Sequence, residues 1–235
     1  MRVSLFATCL ADQFFAEACA DSVRLLRHFG VEVDFPEAQT CCGQPAYNSG
    51  HVDDALRMVD HTLRVFQDAE YVVLPSGSCA AMIRGTYPEL TDSGEARSLA
   101  ARTFELSEFL VHVLKVEALG DGLDGTRVAY HHGCHALREL GVDTEPVRLL
   151  REAGAEVLDW DADKECCGFG GLFSTKLPEV SGAMADRKLD TLPDVDFVVS
   201  GDGACLMQLS GRSRHRGGTT SFRHLASVLW QGVGA

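Results

Sequence analysis

The chain has 235 residues, enough for one large domain or two small ones with a core of their own. Its 46% hydrophobic and 23% charged residues are an ordinary globular balance. A net charge of -13 and a pI ≈ 5.0 exclude nucleic acid and anionic membrane as partners, and no apolar run is long enough to span a bilayer.

Arg2, a short apolar run over 3–11 and Ala16-Glu17-Ala18 imitate a signal peptide. The run is short and its positive flank is a single arginine, so it reads as a first buried strand and the chain as cytoplasmic. Thiols stay reduced there, and nine cysteines, an odd number, point to metal binding more than to disulfides. Residues 3–7 form the strand, with Cys9 close behind. Residues 12–29 have helical periodicity, with Ala16, Cys19, Ala20, Val23, Leu26 and Phe29 near one face and Gly30 at the end. Residues 31–35 alternate as a strand does. A loop then carries Cys41 and Cys42, and 51–66 is a second helix. Residues 71–74 are continuously apolar, as a strand buried on both faces must be, and they run into Pro75-Ser76-Gly77-Ser78-Cys79. Helical pattern covers 99–116.

Residues 120–125 hold three glycines and two aspartates, the mark of a domain boundary. After it the order begins again. Residues 127–131 are a strand ending near Cys134, 146–153 a helix ended by Gly154, and 156–160 a strand. A loop then carries Cys166 and Cys167. Residues 178–192 are helical, 197–200 a strand leading to Gly203-Ala204-Cys205, and 222–231 a closing helix. Two similar domains, 1–119 and 126–235, follow.

The cysteines show the repeat best. Cys9 to Cys41 is 32 positions, and so is Cys134 to Cys166; Cys42 to Cys79 is 37, and Cys167 to Cys205 is 38. Alternating strands and helices make parallel βαβ units, so the fold class is α/β with a small parallel sheet flanked by helices in each domain. Ligands collect at the carboxyl ends of such strands. Cys9, Cys41, Cys42 and Cys79 can therefore gather at one sheet edge, and Cys134, Cys166, Cys167 and Cys205 at the other. The glycines of Cys41-Cys42-Gly43 and Cys166-Cys167-Gly168-Phe169-Gly170-Gly171 allow the bend that aims two neighbouring sulfurs at one point.

Four thiolates are soft donors and suit an iron–sulfur cluster, of the 4Fe-4S type and one or two in number, or zinc. Structural zinc sites use close Cys-x-x-Cys pairs, and this chain has none. Dithiol exchange by Cys41-Cys42 or Cys166-Cys167 is a third reading, but it leaves the other four cysteines unexplained. Cys19 reads as a buried inert thiol. His131, His132 and His135 around Cys134 are candidates for a ligand, a donor to sulfur or a proton carrier. Arg212-Ser213-Arg214-His215-Arg216 reads as a solvated loop.

The spacing Cys, Cys-Cys-Gly, Cys resembles the cysteine-rich CCG domain of heterodisulfide reductase and of glycolate oxidase iron–sulfur proteins. The two-domain chain is similar to the lactate utilization protein A family. The resemblance rests on Gln39 to Gly50, Pro75 to Cys79, Cys134 to Leu140, Cys166 to Gly171 and Cys205-Leu206-Met207. It implies a cytosolic oxidoreductase component of a flavin-independent system oxidising L-lactate to pyruvate, with lactate utilization proteins B and C as partners. It also implies cluster binding through the eight repeated cysteines. Heterodisulfide reductase carries Cys-x-x-Cys in the third element, whereas Met82 and Gln208 stand at that place here. Four thiolates per half fit an ordinary cubane or a simple electron relay.

Overall fold

The computed structural model describes residues 1–234; Ala235, the last residue of the expected second domain, lies outside them. Strands β1 (Arg2–Leu5), β2 (Glu32–Asp34), β3 (Tyr71–Leu74) and β4 (Thr103–Glu105) form a parallel sheet in the order β2-β1-β3-β4. Its helices are α1 (Cys9–Phe14), α2 (Ala16–His28), α3 (Gln44–Asn48), α4 (Val52–Val65), α5 (Gly77–Ala81), α6 (Tyr87–Thr91), α7 (Gly94–Ala101) and α8 (Leu106–Glu108). The second half repeats the plan. Strands β5 (Arg127–Tyr130), β6 (Glu156–Val157), β7 (Phe197–Ser200) and β8 (Ser221–His224) lie in the order β6-β5-β7-β8, again all parallel. Around them are α9 (Glu145–Glu152), α10 (Leu172–Lys176), α11 (Pro178–Asp190), α12 (Gly203–His215) and α13 (Leu225–Gly232). This is an α/β fold of two tandem, similar units, as the repeat predicts.

Three segments differ from the periodicity. The helix expected over 12–29 breaks at Phe15, whose backbone leaves helical geometry at φ -134 and ψ 39. The break lets α1 lie across the sheet edge with Cys9 in its first turn. The expected helix 99–116 is interrupted by a short strand, β4, after the end of α7, and 222–231 opens with β8; each strand completes its sheet. Arg212 to Arg216 is the end of α12, not a loop, and Arg212 and Arg216 pair with Asp186 and Asp190 of α11.

One apolar core runs through both halves. Leu25 and Leu26 of α2, Leu106, Phe109 and Leu110 beyond β4, Leu149 and Leu150 of α9, and Val228 and Leu229 of α13 are all fully or almost fully buried in it. Helix α2 packs on α13 and α8 on α9, so helices of each half pack on helices of the other. The glycine-rich segment 120–125 is part of this contact: Leu123 is buried in the core and Gly122 donates to the Gly232 carbonyl.

In each sheet the strand order reverses beside its first strand, so the cleft where ligands bind lies at the carboxyl ends of β1 and β3, or of β5 and β7. Polar side chains bind the two clefts together. Asp202 caps α12 and also accepts from the Ser78 N–H at 2.9 Å. His224 donates from Nε2 to the Pro75 carbonyl at 3.1 Å while Nδ1 accepts from the Ala226 N–H.

Both bonds of His224 need a neutral ring, and burial pushes its pKa down to about 4. Unfolded, the same ring titrates near 6.5. Between these values the unfolded chain binds the extra proton, so stability is lost as pH falls from about 6.5 to about 4, by up to ~3 kcal/mol. His224→Gln is expected to flatten urea-midpoint profiles across this window. Superimposable wild-type and variant profiles would contradict the assignment.

Candidate metal centres

The first strand of each half delivers one cysteine directly. Thr8 holds φ 65, a strained value for a non-glycine residue, and its hydroxyl accepts from the Ala11 N–H to start α1 at Cys9. The loops after β2 and β6 bring the paired cysteines. Gly43 and Gly168, at φ 89 and φ 85, turn the chain back immediately after each pair. A side chain at Gly168 would put its Cβ 2.6 Å from the Ser181 carbonyl oxygen, so the loop lies directly on α11. The fourth cysteine of each half, Cys79 or Cys205, sits in the first turn of the helix after β3 or β7, which is capped by Ser76 or Asp202.

The structure brings all eight repeated cysteines into two quartets, and none forms a disulfide. In the first, Cys9 Sγ lies 3.4 Å from Cys41 Sγ, and Cys42 Sγ lies 3.3 Å from Cys79 Sγ. In the second, Cys167 Sγ lies 3.2 Å from Cys205 Sγ, and the Cys134 thiol donates to Cys166. Each quartet has a buried inner pair, Cys42 with Cys79 or Cys167 with Cys205, and a half-buried outer pair. Cys19 stands apart, half-buried, donating to the Ala7 carbonyl at 3.4 Å, with burial raising its pKa to about 11.

In each quartet one sulfur is favoured as the thiolate. Hydrogen bonds from Cys42 and Cys9 hold Cys41 down to about 3, with the Gly43 N–H helping. Bonds from Cys134 and Cys167 hold Cys166 down to about 2, with the Gly168 N–H helping. Cys9, Cys42, Cys134 and Cys167 move the other way, because each shares its proton with a neighbouring sulfur and burial opposes a further charge. Loading metal must therefore expel protons, and a dication or a cluster supplies the positive charge that makes this favourable. Soft, convergent sulfur donors with no carboxylate among them fit a thiolate-bound metal or iron–sulfur group.

Seven of the eight cysteines, all but Cys41, line one cavity of about 260 Å³ between the halves. Cys9, Cys42 and Cys79 line it from one side, and Cys134, Cys166, Cys167 and Cys205 from the other. Leu10, Phe169 and Leu172 contribute apolar walls, and His135 and Asp202 polar ones. No lysine or arginine among the described residues lines it; Arg138, the arginine nearest the cysteines in sequence, is exposed.

The three histidines have separate surroundings. His135 bonds Glu139 beside the cavity. His132 donates to the Asp143 carbonyl at 3.0 Å, away from the sulfurs. His131 is fully buried, and its ring lies with Cys167 and Cys205, donor atoms within 4.8 Å of one another. Burial pushes His131 down to about 3, so the imidazole is neutral.

Sequence reasoning did not single out the residues that anchor the cysteine loops. Tyr87, fully buried, donates to the Cys42 carbonyl at 2.8 Å. Ser181 donates to the Gly168 carbonyl at 2.7 Å and accepts from Gln208. Gln208 thus holds the loop from the place where heterodisulfide reductase has a cysteine, while Met82 is buried in the core. Tyr87→Phe leaves the Cys42 carbonyl without its donor. It is expected to cost about 1–2 kcal/mol in urea unfolding of the metal-free chain, and an unchanged midpoint would show that the bond holds nothing in place.

The cysteine-rich domain (CCG) matches the chain twice, over residues 3–84 and 128–210. Each match contains one complete quartet. Lactate utilization protein A from Geobacillus sp. (strain WCH70) is 45% identical over 97% of this chain and 99% of that protein. The proteins of the same name from Geobacillus kaustophilus (strain HTA426) and Bacillus subtilis (strain 168) are 46% and 43% identical, each over 97% of this chain and 98% and 99% of theirs. A solved arylmalonate decarboxylase mutant aligns at 15% identity with a TM-score of 0.27, covering 100% of this chain and 95% of that one, a likeness that carries no argument. With two cysteine-rich domains and near full-length identity to these relatives, the chain belongs to the lactate utilization protein A family.

Proposed function

We propose that this protein is the iron–sulfur electron-transfer component of a cytoplasmic system that oxidises L-lactate to pyruvate, acting with lactate utilization proteins B and C. Cys9, Cys41, Cys42 and Cys79 of a domain spanning 1–119 hold one 4Fe-4S cluster. Cys134, Cys166, Cys167 and Cys205 of a domain spanning 126–235 hold a second. The observation that carries this reading is the pair of free thiol quartets gathered at one cavity, which all of their cysteines but Cys41 line. Clusters bound there would supply one-electron donors and acceptors. The chain's own residues do the rest: Gly43 and Gly168 bend the loops, Tyr87 and Ser181 fix them, and the common core holds both quartets to one cavity.

The relatives' name supports lactate as the source of electrons. The cavity offers no ammonium or guanidinium to a carboxylate. This chain is therefore the relay, and lactate binding falls to a partner. No helix among the described residues is long and apolar enough to cross a membrane, so the partners are met without a membrane-spanning helix of this chain.

The test is iron, acid-labile sulfide and zinc content of anaerobically purified protein, with an electronic spectrum. About four irons and four sulfides per half, with absorption bleached by dithionite, are expected. Stoichiometric zinc without sulfide, persisting after attempted reconstitution, would make the quartets structural staples and end the electron-transfer reading. Sustained turnover of a disulfide by the metal-free chain would replace it with thiol exchange.

A further inference from the structure

The two quartets have different backing. Phe6 and His131 occupy equivalent places, each just after the first strand of its half. The Phe6 N–H donates to the Val73 carbonyl at 3.0 Å, and the His131 N–H donates to the matching Val199 carbonyl at 2.8 Å. Both side chains are fully buried. Phe6 stacks on Phe66 with ring centres 5.1 Å apart, an apolar filling behind the first quartet. His131 brings two ring nitrogens to the same place; the Asp163 backbone lies against the ring, and neither nitrogen makes a hydrogen bond of normal geometry.

A buried imidazole whose nitrogens are not well paired is costly and uncommon in a native fold. What lies beside it is sulfur. A ring nitrogen of His131 and the Cys167 and Cys205 sulfurs are mutually within 4.8 Å. Each iron of a cubane takes one protein donor besides its sulfides, so a nitrogen standing among these sulfurs can replace one of them on one iron. Imidazole and thiolate are compatible ligands for iron and zinc.

We propose that His131 is a nitrogen donor to the metal centre of the second half, in place of one of its two neighbouring sulfurs, Cys167 or Cys205. The first half, with Phe6 in that position, holds its centre by sulfur alone. The inference rests on the cluster reading above and adds a difference between two sites that the cysteine spacing makes look alike. A neutral imidazole brings less negative charge than thiolate, and Rieske centres illustrate how nitrogen ligation raises a potential. Lys188, buried in the same half with only the Ala162 and Asp163 carbonyls as acceptors, adds positive charge nearby. The second centre is therefore the more easily reduced, and electrons entering the first run toward it.

The test uses the full-length, anaerobically loaded chain made with natural-abundance histidine or with ¹⁵N-histidine. Iron and sulfide are counted first, and pulsed EPR of the dithionite-reduced protein follows. We expect a nitrogen coupling of directly bonded strength that changes with the label. It should disappear in His131→Phe, which copies the first half, and survive in His135→Asn. Potentiometry of His131→Phe should bring the two reduction waves closer together by lowering the upper one. A loaded wild-type chain with no label-sensitive coupling overturns the proposal, as does a coupling that survives His131→Phe. The labelled wild type decides the matter even if that variant fails to load. A chain without iron or sulfide overturns the cluster reading as well, a result distinct from a loaded chain without nitrogen coupling.

Discussion

Replacing Cys166 and Cys167 together by serine is expected to remove about half of the iron and sulfide and leave the rest in place. Each substitution exchanges a soft thiolate for a hydroxyl that stays protonated at neutral pH, and two of four sulfur donors are lost at once. The inner residue, Cys167, is buried among Ala129, Trp160, Val198 and Leu209, so a serine hydroxyl there costs about 1–2 kcal/mol, too little to unfold the chain. The other quartet is carried by a different sheet and keeps its four sulfurs. Cys41→Ser with Cys42→Ser should give the mirror result. Metal and sulfide assays, with far-UV circular dichroism to show that the fold persists, make the measurement. Unchanged iron would remove these cysteines from the ligand set. Complete loss in both double variants would mean that one centre spans the cavity, and the two-cluster assignment would fall.

The quartets were legible because both halves repeat one cysteine spacing. The intervals of 32 and of 37 or 38 positions hold even where the elements between them depart from the periodicity. Strands β3 and β7 were legible because both of their faces are buried, which demands an unbroken apolar run. Strands β4 and β8 were not. Thr103-Phe104-Glu105 and Ser221-Phe222-Arg223-His224 lie at sheet edges, run straight into helices, and carry polar residues whose work is done across the molecule. Glu105 accepts from the Ser107 and Glu108 N–H groups to start α8, as His224 starts α13, and burial raises its pKa to about 7.

Long-range partnerships left even less trace. Tyr87 reaches the Cys42 carbonyl across 45 residues, and Asp202 reaches Ser78 across 124. Lys188 near the end of a helix reads as a solvated lysine, yet it is fully buried over the Trp160 ring. His131 was visible as one of three histidines near Cys134, but sequence could not separate it from its neighbours. Only the pairing of β5 with β7 shows that it takes the place of Phe6. The glycine-rich segment 120–125 reads as a boundary and hides the continuity of the core across it, in which Leu123 is buried.

That continuity makes the contact between the halves the most sensitive part of the molecule, and Gly77→Ala should expose it. Gly77 lies two residues before Cys79. An added Cβ would fall 2.4 Å from the Ala136 Cβ and 3.2 Å from its Cα, and Ala136 lies two residues after Cys134. A methyl group on a backbone cannot swing aside, so one half must move against the other. The expected loss is about 3 kcal/mol in urea unfolding of the metal-free chain. The equivalent Gly203→Ala meets the Phe15 ring at 2.9 Å, a side chain that can turn, and should cost about 1 kcal/mol. Movement at Gly77 also strains the Ser78–Asp202 and Pro75–His224 bonds, so both centres should load less well, unlike the one-sided serine variants. Gly77→Ala combined with Ala136→Gly removes the overlap at its source. The pair should recover most of the loss, less about 1 kcal/mol for a glycine in a helical turn. A Gly77→Ala protein with wild-type stability and full metal content would mean that the halves do not meet at this point. Rescue by Ala136→Gly would place the overlap at this one contact, because no other residue changes in the pair.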